Sequence, residues 1–302
     1  MRPQVALETA LLSLGLPYPQ NLEVFEAMEA AVRAAGAEPV GIALHEGRVH
    51  VGMSRRLIEH MARSRDVKKC ARRDLGWVLA GGHTGATTVS STLWLAHRAG
   101  IRVFATGGIG GVHPGHGGPP DISADLATLA EVPMLIVSAG TKSICDPVAT
   151  AEALEALSVP VLGLRTDRFP HFYAGPSPAA IPPVASVQEA AAAHLQHLAY
   201  GGTATTLVAN PCPAADLLDP KLLERLTSEG MRAAARAGVM GNALTPYLLD
   251  FLAKRSKGRT VRSNRALLVD NARVAGEVAV ALSARRSRAS GSSRASRTRR
   301  SR

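Results

Sequence analysis

A chain of 302 residues, 46% of them hydrophobic, can bury the core of one large α/β domain or of two small ones. Its apolar runs are short and interrupted, so no membrane span is expected, and the N-terminus lacks the layout of a secretory signal. The net charge is +11, but eight arginines and no acidic residue lie between Ala284 and Arg302, which leaves 11 − 8 = +3 on everything before them. A nucleic-acid-binding fold, basic over its whole surface, is therefore not indicated. Three cysteines, Cys70, Cys145 and Cys212, are odd in number and far apart, which fits neither a disulfide framework nor a zinc site and suggests a reducing, cytoplasmic setting.

Along the chain, Leu22, Phe25, Met28, Val32 and Ala35 recur at helical spacing, with Asn21 as the expected N-cap and Gly36 as the stop. Residues 40–44 and 48–53 then read as a hairpin around His45-Glu46-Gly47. Apolar strands are expected near 77–80, 101–106, 134–138, 159–164 and 205–209, with helices between most of them. Such alternation predicts an α/β fold, layered α/β/α around a central, largely parallel sheet, whose ligands gather at the carboxyl ends of strands. The proline-rich stretch 174–186 is the expected mobile surface loop, and Trp77, Trp94 and Phe104 are expected in the core. From Asn210 onward the pattern is helical, over 220–237, 242–254 and 263–283. Residues 1–283 thus read as one catalytic domain. Residues 284–302 read as a disordered Arg/Ser-rich tail that either touches anionic partners or has no specific role.

Two segments carry chemistry. Residues 101–125 run from an apolar strand through Thr106 into seven glycines and then to His113, Asp121, Ser123, Ala124 and Asp125. Glycines after a strand let backbone amides face a bound group, or they form a plain surface loop. Residues 134–147 form a second strand that delivers Lys142 at the expected start of a helix, where a partly buried amine becomes a better nucleophile toward a carbonyl. A solvated lysine is the alternative. Its Gly140-Thr141-Lys142-Ser143 ending lacks the glycine and spacing of a phosphate-binding P-loop.

With these residues in hand, the chain resembles the pseudouridine-5′-phosphate glycosidase family from Val5 to about Leu282. The likeness rests on ALE with Glu8, LPYPQN at 16–21, RRDL at 72–75, GATTV at 85–89, RVFATGGIGGVH at 102–113, DISADL at 121–126, SAGTKSI at 138–144, ANP at 209–211, SN at 263–264, and Asn271-Ala272. It implies reversible cleavage of the carbon–carbon glycosidic bond of pseudouridine 5′-phosphate to uracil and ribose 5-phosphate, assisted by a divalent metal, typically manganese(II), in a homo-oligomer, with a trimer suggested. Lys142 matches the lysine that forms an imine with the ring-opened sugar, Glu8 the proton donor, and Asp121 the metal ligand. Lys69, Val89 and the run Ser123-Ala124-Asp125 match substrate-contacting positions. Asn264 matches an asparagine at the site, while Thr106 and His113 join the candidate substrate-binding set from the glycine-rich segment.

The chain departs from the family where Pro114 stands in place of an arginine, in the loop Gly115-His116-Gly117-Gly118, and at Ala174-Gly175-Pro176. These changes bear on the phosphate shell more than on the chemistry. Two rival readings stay open: a lysine-imine lyase or aldolase acting on another phosphosugar, and a non-catalytic nucleotide- or RNA-binding protein.

Overall fold

The computed structural model describes residues 2–114, 121–239 and 244–299, with the side chains of 245, 246, 249 and 286–299 outside that description. A ten-stranded sheet runs through the molecule. Its strands are β1 (Gln4–Leu7), β2 (Glu38–His45), β3 (Arg48–Val51), β4 (Lys68–Cys70), β5 (Gly85–Thr87), β6 (Val103–Ala105), β7 (Leu135–Ser138), β8 (Val161–Leu164), β11 (Pro183–Val184) and β12 (Thr206–Ala209). The order is β11-β8-β12-β7-β6-β1-β2-β5-β4, with β3 hydrogen-bonded to β2. Only the β2–β3 and β2–β5 pairings are antiparallel. A separate ribbon pairs β9 (Arg168–Pro170) with β10 (Pro176–Ala180).

Helices cover both faces, which is why the central strands read as unbroken apolar runs. In β1, Val5 and Leu7 point into a cluster with Phe25, Met28 and Val32 of α1 (Gln20–Ala34), residues of α7 (Val187–Ala199) and of α10 (Arg259–Arg299). Ala6 points the other way, to Val89 and Leu93 of α4 (Val89–Arg98), Leu126 and Leu129 of α5 (Ala124–Glu131) and Leu154 of α6 (Pro147–Ala156). This is the period-two alternation of a strand buried on both sides. The remaining helices are α2 (Arg55–Arg63), α3 (Leu75–Ala80), α8 (Pro220–Arg236) and α9 (Leu244–Arg255). The hairpin is present, with Glu46 and Gly47 at φ of 49° and 71° in its two-residue turn.

Four local expectations are corrected. Residues 77–80 belong to helix α3, not to a strand: a short apolar run does not distinguish the two, and only Val78 of this helix is buried. Trp77 accordingly lies outside the core, 58% exposed beside His83, and Trp94 is half-buried beneath the Arg72 guanidinium, 3.9 Å from its ring centroid. Asn21 lies inside α1 rather than capping it, because its buried amide donates to the carbonyls of Leu12 and Ala62. The stretch 174–186 carries β10 and β11; prolines fit there because both are edge strands that leave amides unused.

The helical C-terminal part is as expected, α10 being one helix across residue 283. The tail's predicted disorder falls on residues whose side chains lie, from 286 on, outside the described set. Residues 115–120 and 240–243 lie outside it altogether, and with them the altered glycine loop. No helix among the described residues is long and apolar enough to cross a membrane.

Candidate active site

The carboxyl ends of the adjacent parallel strands β1, β6 and β7, together with the oppositely running β4–β5 pair, bring distant sequence segments together. Glu8 follows β1, Thr106 follows β6, Lys142 follows β7 by four residues, Lys69 lies in β4, and Thr88 follows β5. They line a cleft of two lobes that share Lys69, Thr88 and Lys142. The inner lobe is walled by Glu8, Thr106, Gly107, Gly108, Phe172, Asn264 and Leu268. The outer lobe is lined by Arg73, His113, Asp121, Ser123, Ala124, Asp125 and Cys145.

Glu8 is fixed by a very short hydrogen bond from the Thr106 hydroxyl. Burial raises its pKa above the ordinary glutamate range, an effect that nearby Lys142 and the Thr106 bond partly offset. A raised pKa suits a carboxyl to proton donation. Next to it in sequence, Thr9 is anchored by bonds to the Ile42 carbonyl and to Thr87, so the end of β1 cannot drift. Burial in the cleft and the charge of Lys142 hold the Lys69 ammonium below the usual lysine pKa. Burial also lowers the His113 pKa against the opposing pull of Asp121, favouring a neutral imidazole.

Lys142 does not begin a helix. The Lys142 amide donates to the Ile109 carbonyl in an irregular crossing, and α6 starts only at Pro147, capped by Asp146. The helix-dipole argument for its activation therefore falls away; its charge is felt by both Glu8 and Lys69 in the cleft. Gly140 makes this crossing possible: its φ is +72°, and a Cβ there would come within 1.8 Å of the Pro170 carbonyl oxygen.

The glycine-rich segment is likewise built around its own chain. The Gly110 amide donates to Asp125 Oδ2 at 2.9 Å, while Asp125 Oδ1 accepts from the Ser90 amide at 3.0 Å. Buried Asp125 thus ties the glycine segment to the start of α4, and Ser123 caps α5 by accepting from the Asp125 amide.

The structure brings together Glu8, Lys69, Thr106, His113, Asp121, Ser123, Ala124, Asp125, Lys142 and Asn264 along the cleft. Val89 does not line either lobe; its side chain is fully buried against Leu93, and Thr88 lines the cleft instead. Among the described residues no three His, Cys, Asp or Glu side chains converge as a metal site. Cys145 is buried, its thiol pKa raised by burial, with Sγ 3.9 Å from His113 Nε2, which suits a packing role.

Sequence reasoning assigned no role to Asn271. It is fully buried, donates from Nδ2 to the carbonyls of Thr106 (2.8 Å) and Gly107 (3.2 Å), and accepts from Asn210 Nδ2. Asn210 also donates to Asp270. Asn210 and Asn271 thus form a clamp that pins α10 to the end of β6, from which Thr106 reaches Glu8.

A lysine and a glutamate whose pKa burial raises, lining one cleft at the carboxyl ends of β7 and β1, define the site of an α/β enzyme. The chain belongs to the indigoidine synthase A-like family, which matches residues 1–281 and includes proteins named pseudouridine-5′-phosphate glycosidase. One of these, from Thermus thermophilus, is 48% identical over 281 residues, covering 93% of this chain and 98% of that protein. Another, from Herpetosiphon aurantiacus, is 46% identical over 282 residues and 93% of each chain. Among solved structures, the prealnumycin C-glycosynthase AlnA in complex with ribulose 5-phosphate superposes with a TM-score of 0.87 at 40% identity, covering 95% of this chain and 94% of that one. An indigoidine synthase A-like protein from Thermotoga maritima gives 0.86 at 36% identity, over 93% of both chains.

Proposed function

We propose that this protein reversibly cleaves pseudouridine 5′-phosphate into uracil and ribose 5-phosphate. The observation that carries the reading is the presence in one cleft of Lys142 and a Glu8 whose pKa burial raises, with Lys69 and Arg73 on the cleft's lining. It is supported by the names of relatives 43–48% identical over nearly the whole chain, and by a ribulose 5-phosphate complex of a structural neighbour.

A C-glycoside has no oxygen or nitrogen leaving group, so a nitrogen bonded to the sugar carbon must supply the electrons that expel the base. In the proposed sequence the Lys142 nitrogen bonds to the anomeric carbon as the ring oxygen departs with a proton. The nitrogen lone pair then expels uracil carbon 5, which takes its proton from Glu8, and water hydrolyses the imine to ribose 5-phosphate and free Lys142. Thr106 keeps Glu8 aimed. Lys69, His113 and the Ser123-Ala124 turn at the start of α5 face the phosphate.

Asp121, an oxygen donor on the outer lobe, is the candidate holder of manganese(II), with water and substrate oxygens completing the shell. A carboxylate and water suit this ion better than zinc. The bound ion would supply positive charge beside the phosphosugar.

Incubating the purified protein with pseudouridine 5′-phosphate and manganese should release uracil, and absence of release would overturn the reading. Borohydride added with ribose 5-phosphate should trap an adduct on Lys142, whereas an adduct on Lys69 would overturn the assignment. Lys142→Ala should lower turnover by several orders of magnitude. Incorporation of labelled uracil separates this activity from a lyase acting on another phosphosugar. Asp121→Asn should weaken the manganese dependence.

A further inference from the structure

One side chain in the inner lobe is held there at a cost that the chemistry of Lys142 and Glu8 does not explain. Phe172 lines that lobe and is 5% exposed, yet its φ is +55°. A left-handed backbone is an outlier for a bulky residue and persists only where the surrounding structure enforces it. Of the five phenylalanines, Phe172 alone has a positive φ.

The enforcing contacts lead to the lysine. The Phe172 amide donates to the Ala139 carbonyl at 2.9 Å, and the turn is closed where the His171 amide donates to the Gly175 carbonyl at 2.8 Å. The Tyr173 ring lies 4.7 Å from that of Phe172, and its hydroxyl meets the Ser143 hydroxyl at 3.1 Å. The strained turn is thus tied to the chain on both sides of Lys142. Gly108 gives the aromatic ring its room, since a Cβ there would stand 2.9 Å from it.

What the ring faces follows from the division of the cleft. Arg73, His113, Asp121 and Ser123, groups fitted to a phosphate and a metal, lie on the outer lobe. The inner lobe presents Leu11, Leu14, Leu268 and Phe172, with Glu8 and Asn264 among them. A proton from Glu8 must reach a carbon of the departing group, so that group occupies Glu8's lobe. A flat, neutral ring with apolar faces and a polar edge suits these walls, and a phosphate does not.

We propose that Phe172 is the residue that selects the leaving group: its ring is the platform on which a planar pyrimidine base stacks in the inner lobe. This rests on the proposed cleavage of pseudouridine 5′-phosphate and names the part of the site that recognises the base. Stacking on an aromatic face holds a base by its π surface, and a platform fixed by its backbone sets the orientation of that base relative to Glu8.

The test separates base from sugar. Michaelis constants are measured in the synthetic direction, from uracil and ribose 5-phosphate, for the full chain and for Phe172→Leu. The substitution should raise the KM for uracil about 10- to 100-fold, while the KM for ribose 5-phosphate and the rate of borohydride trapping on Lys142 stay unchanged. Gly108→Ala, which crowds the ring without removing it, should raise the KM for uracil as well. Calorimetry needs no turnover: the wild-type chain should bind uracil at least about tenfold more tightly than dihydrouracil, whose puckered, saturated ring offers no π face. Phe172→Leu should lose most of that preference.

Equal affinity of the wild-type chain for uracil and dihydrouracil overturns the proposal, whether or not the variants fold. An unchanged KM for uracil in folded Phe172→Leu also overturns it, even with a lowered melting temperature, because Phe172 is then a packing residue. A loss confined to ribose 5-phosphate and its adduct overturns it by setting the ring against the sugar. Failure of the wild-type chain to release uracil from pseudouridine 5′-phosphate refutes the cleavage reaction instead, and the calorimetry still decides whether Phe172 carries the base.

Discussion

Replacing Asn271 by alanine tests whether the clamp beneath Glu8 is structural. The substitution removes the Nδ2 donor from the Thr106 carbonyl at 2.8 Å and from the Gly107 carbonyl at 3.2 Å. Gly107 retains a bond from the Ala139 amide, and Asn210 retains Asp270, so Thr106 bears the main loss. One orphaned buried carbonyl costs about 1–3 kcal/mol, and the small void adds about 1 kcal/mol. The expected destabilisation is therefore about 2–4 kcal/mol, or a melting temperature lower by about 3–6 °C for a domain of this length. Urea titration should show the midpoint fall with an unchanged m-value.

Because Thr106 aims Glu8, the fraction that remains folded should lose about 10- to 100-fold in kcat with little change in KM. Asn271→Asp keeps the acceptor for Asn210 but sets an oxygen against the Thr106 carbonyl, and should be no better than alanine. A loss below about 1 kcal/mol for both variants, with turnover intact, would refute the clamp.

Glu8 carries a pH signature. Since burial raises its pKa, the folded chain holds this proton to higher pH than the unfolded chain; its contribution to stability is full below the ordinary glutamate range and is lost as pH climbs through the raised folded value. Glu8→Gln should flatten that segment of a stability–pH curve and leave the Lys142 adduct intact while blocking uracil release; an unchanged curve would contradict the burial argument. Gly110→Ala would place a Cβ 2.2 Å from Ser123 Oγ and 2.8 Å from Asp125 Oδ2, and should cost about 1–3 kcal/mol by thermal melting together with a raised KM. Trp77→Ser, on an exposed site, should shift stability by no more than about 0.5 kcal/mol; a larger loss by chemical denaturation would mean that Trp77 is covered.

The largely parallel sheet is legible in the sequence because apolar runs such as residues 134–138 alternate with helical stretches, and Lys142 stands out just after one of them; Glu8 is singled out only by the family resemblance. What escapes is set by tertiary partners. Asn21 looks like a cap by residue type, yet its amide is needed by Leu12 and Ala62. Lys142 looks like a helix start, yet the chain crosses from Gly140 along Ile109 before α6 begins. Glycines that suggest a ligand cradle turn out to admit Asp125, Ser123 and Pro170. Asn271 is one more polar residue on a helix until its three partners, two of them more than 160 residues away, are seen.

The place of β1 has a consequence for synthesis. It precedes every other strand of the sheet along the chain, yet it lies between β2 and β6 in the interior of the sheet, with Val5, Ala6 and Leu7 wholly buried. Its β6 neighbour is about a hundred residues away along the chain, and Asn271, which clamps the end of β6 beside Glu8, lies near the other terminus. At about 5–20 residues per second, the ribosome takes roughly 13 to 53 s to travel from Glu8 to Asn271. Both strand neighbours of β1 exist once residue 105 is made, but the helix that clamps the end of β6 comes only with Asn271, so the strand end beside Glu8 is the last part of this region to be fixed.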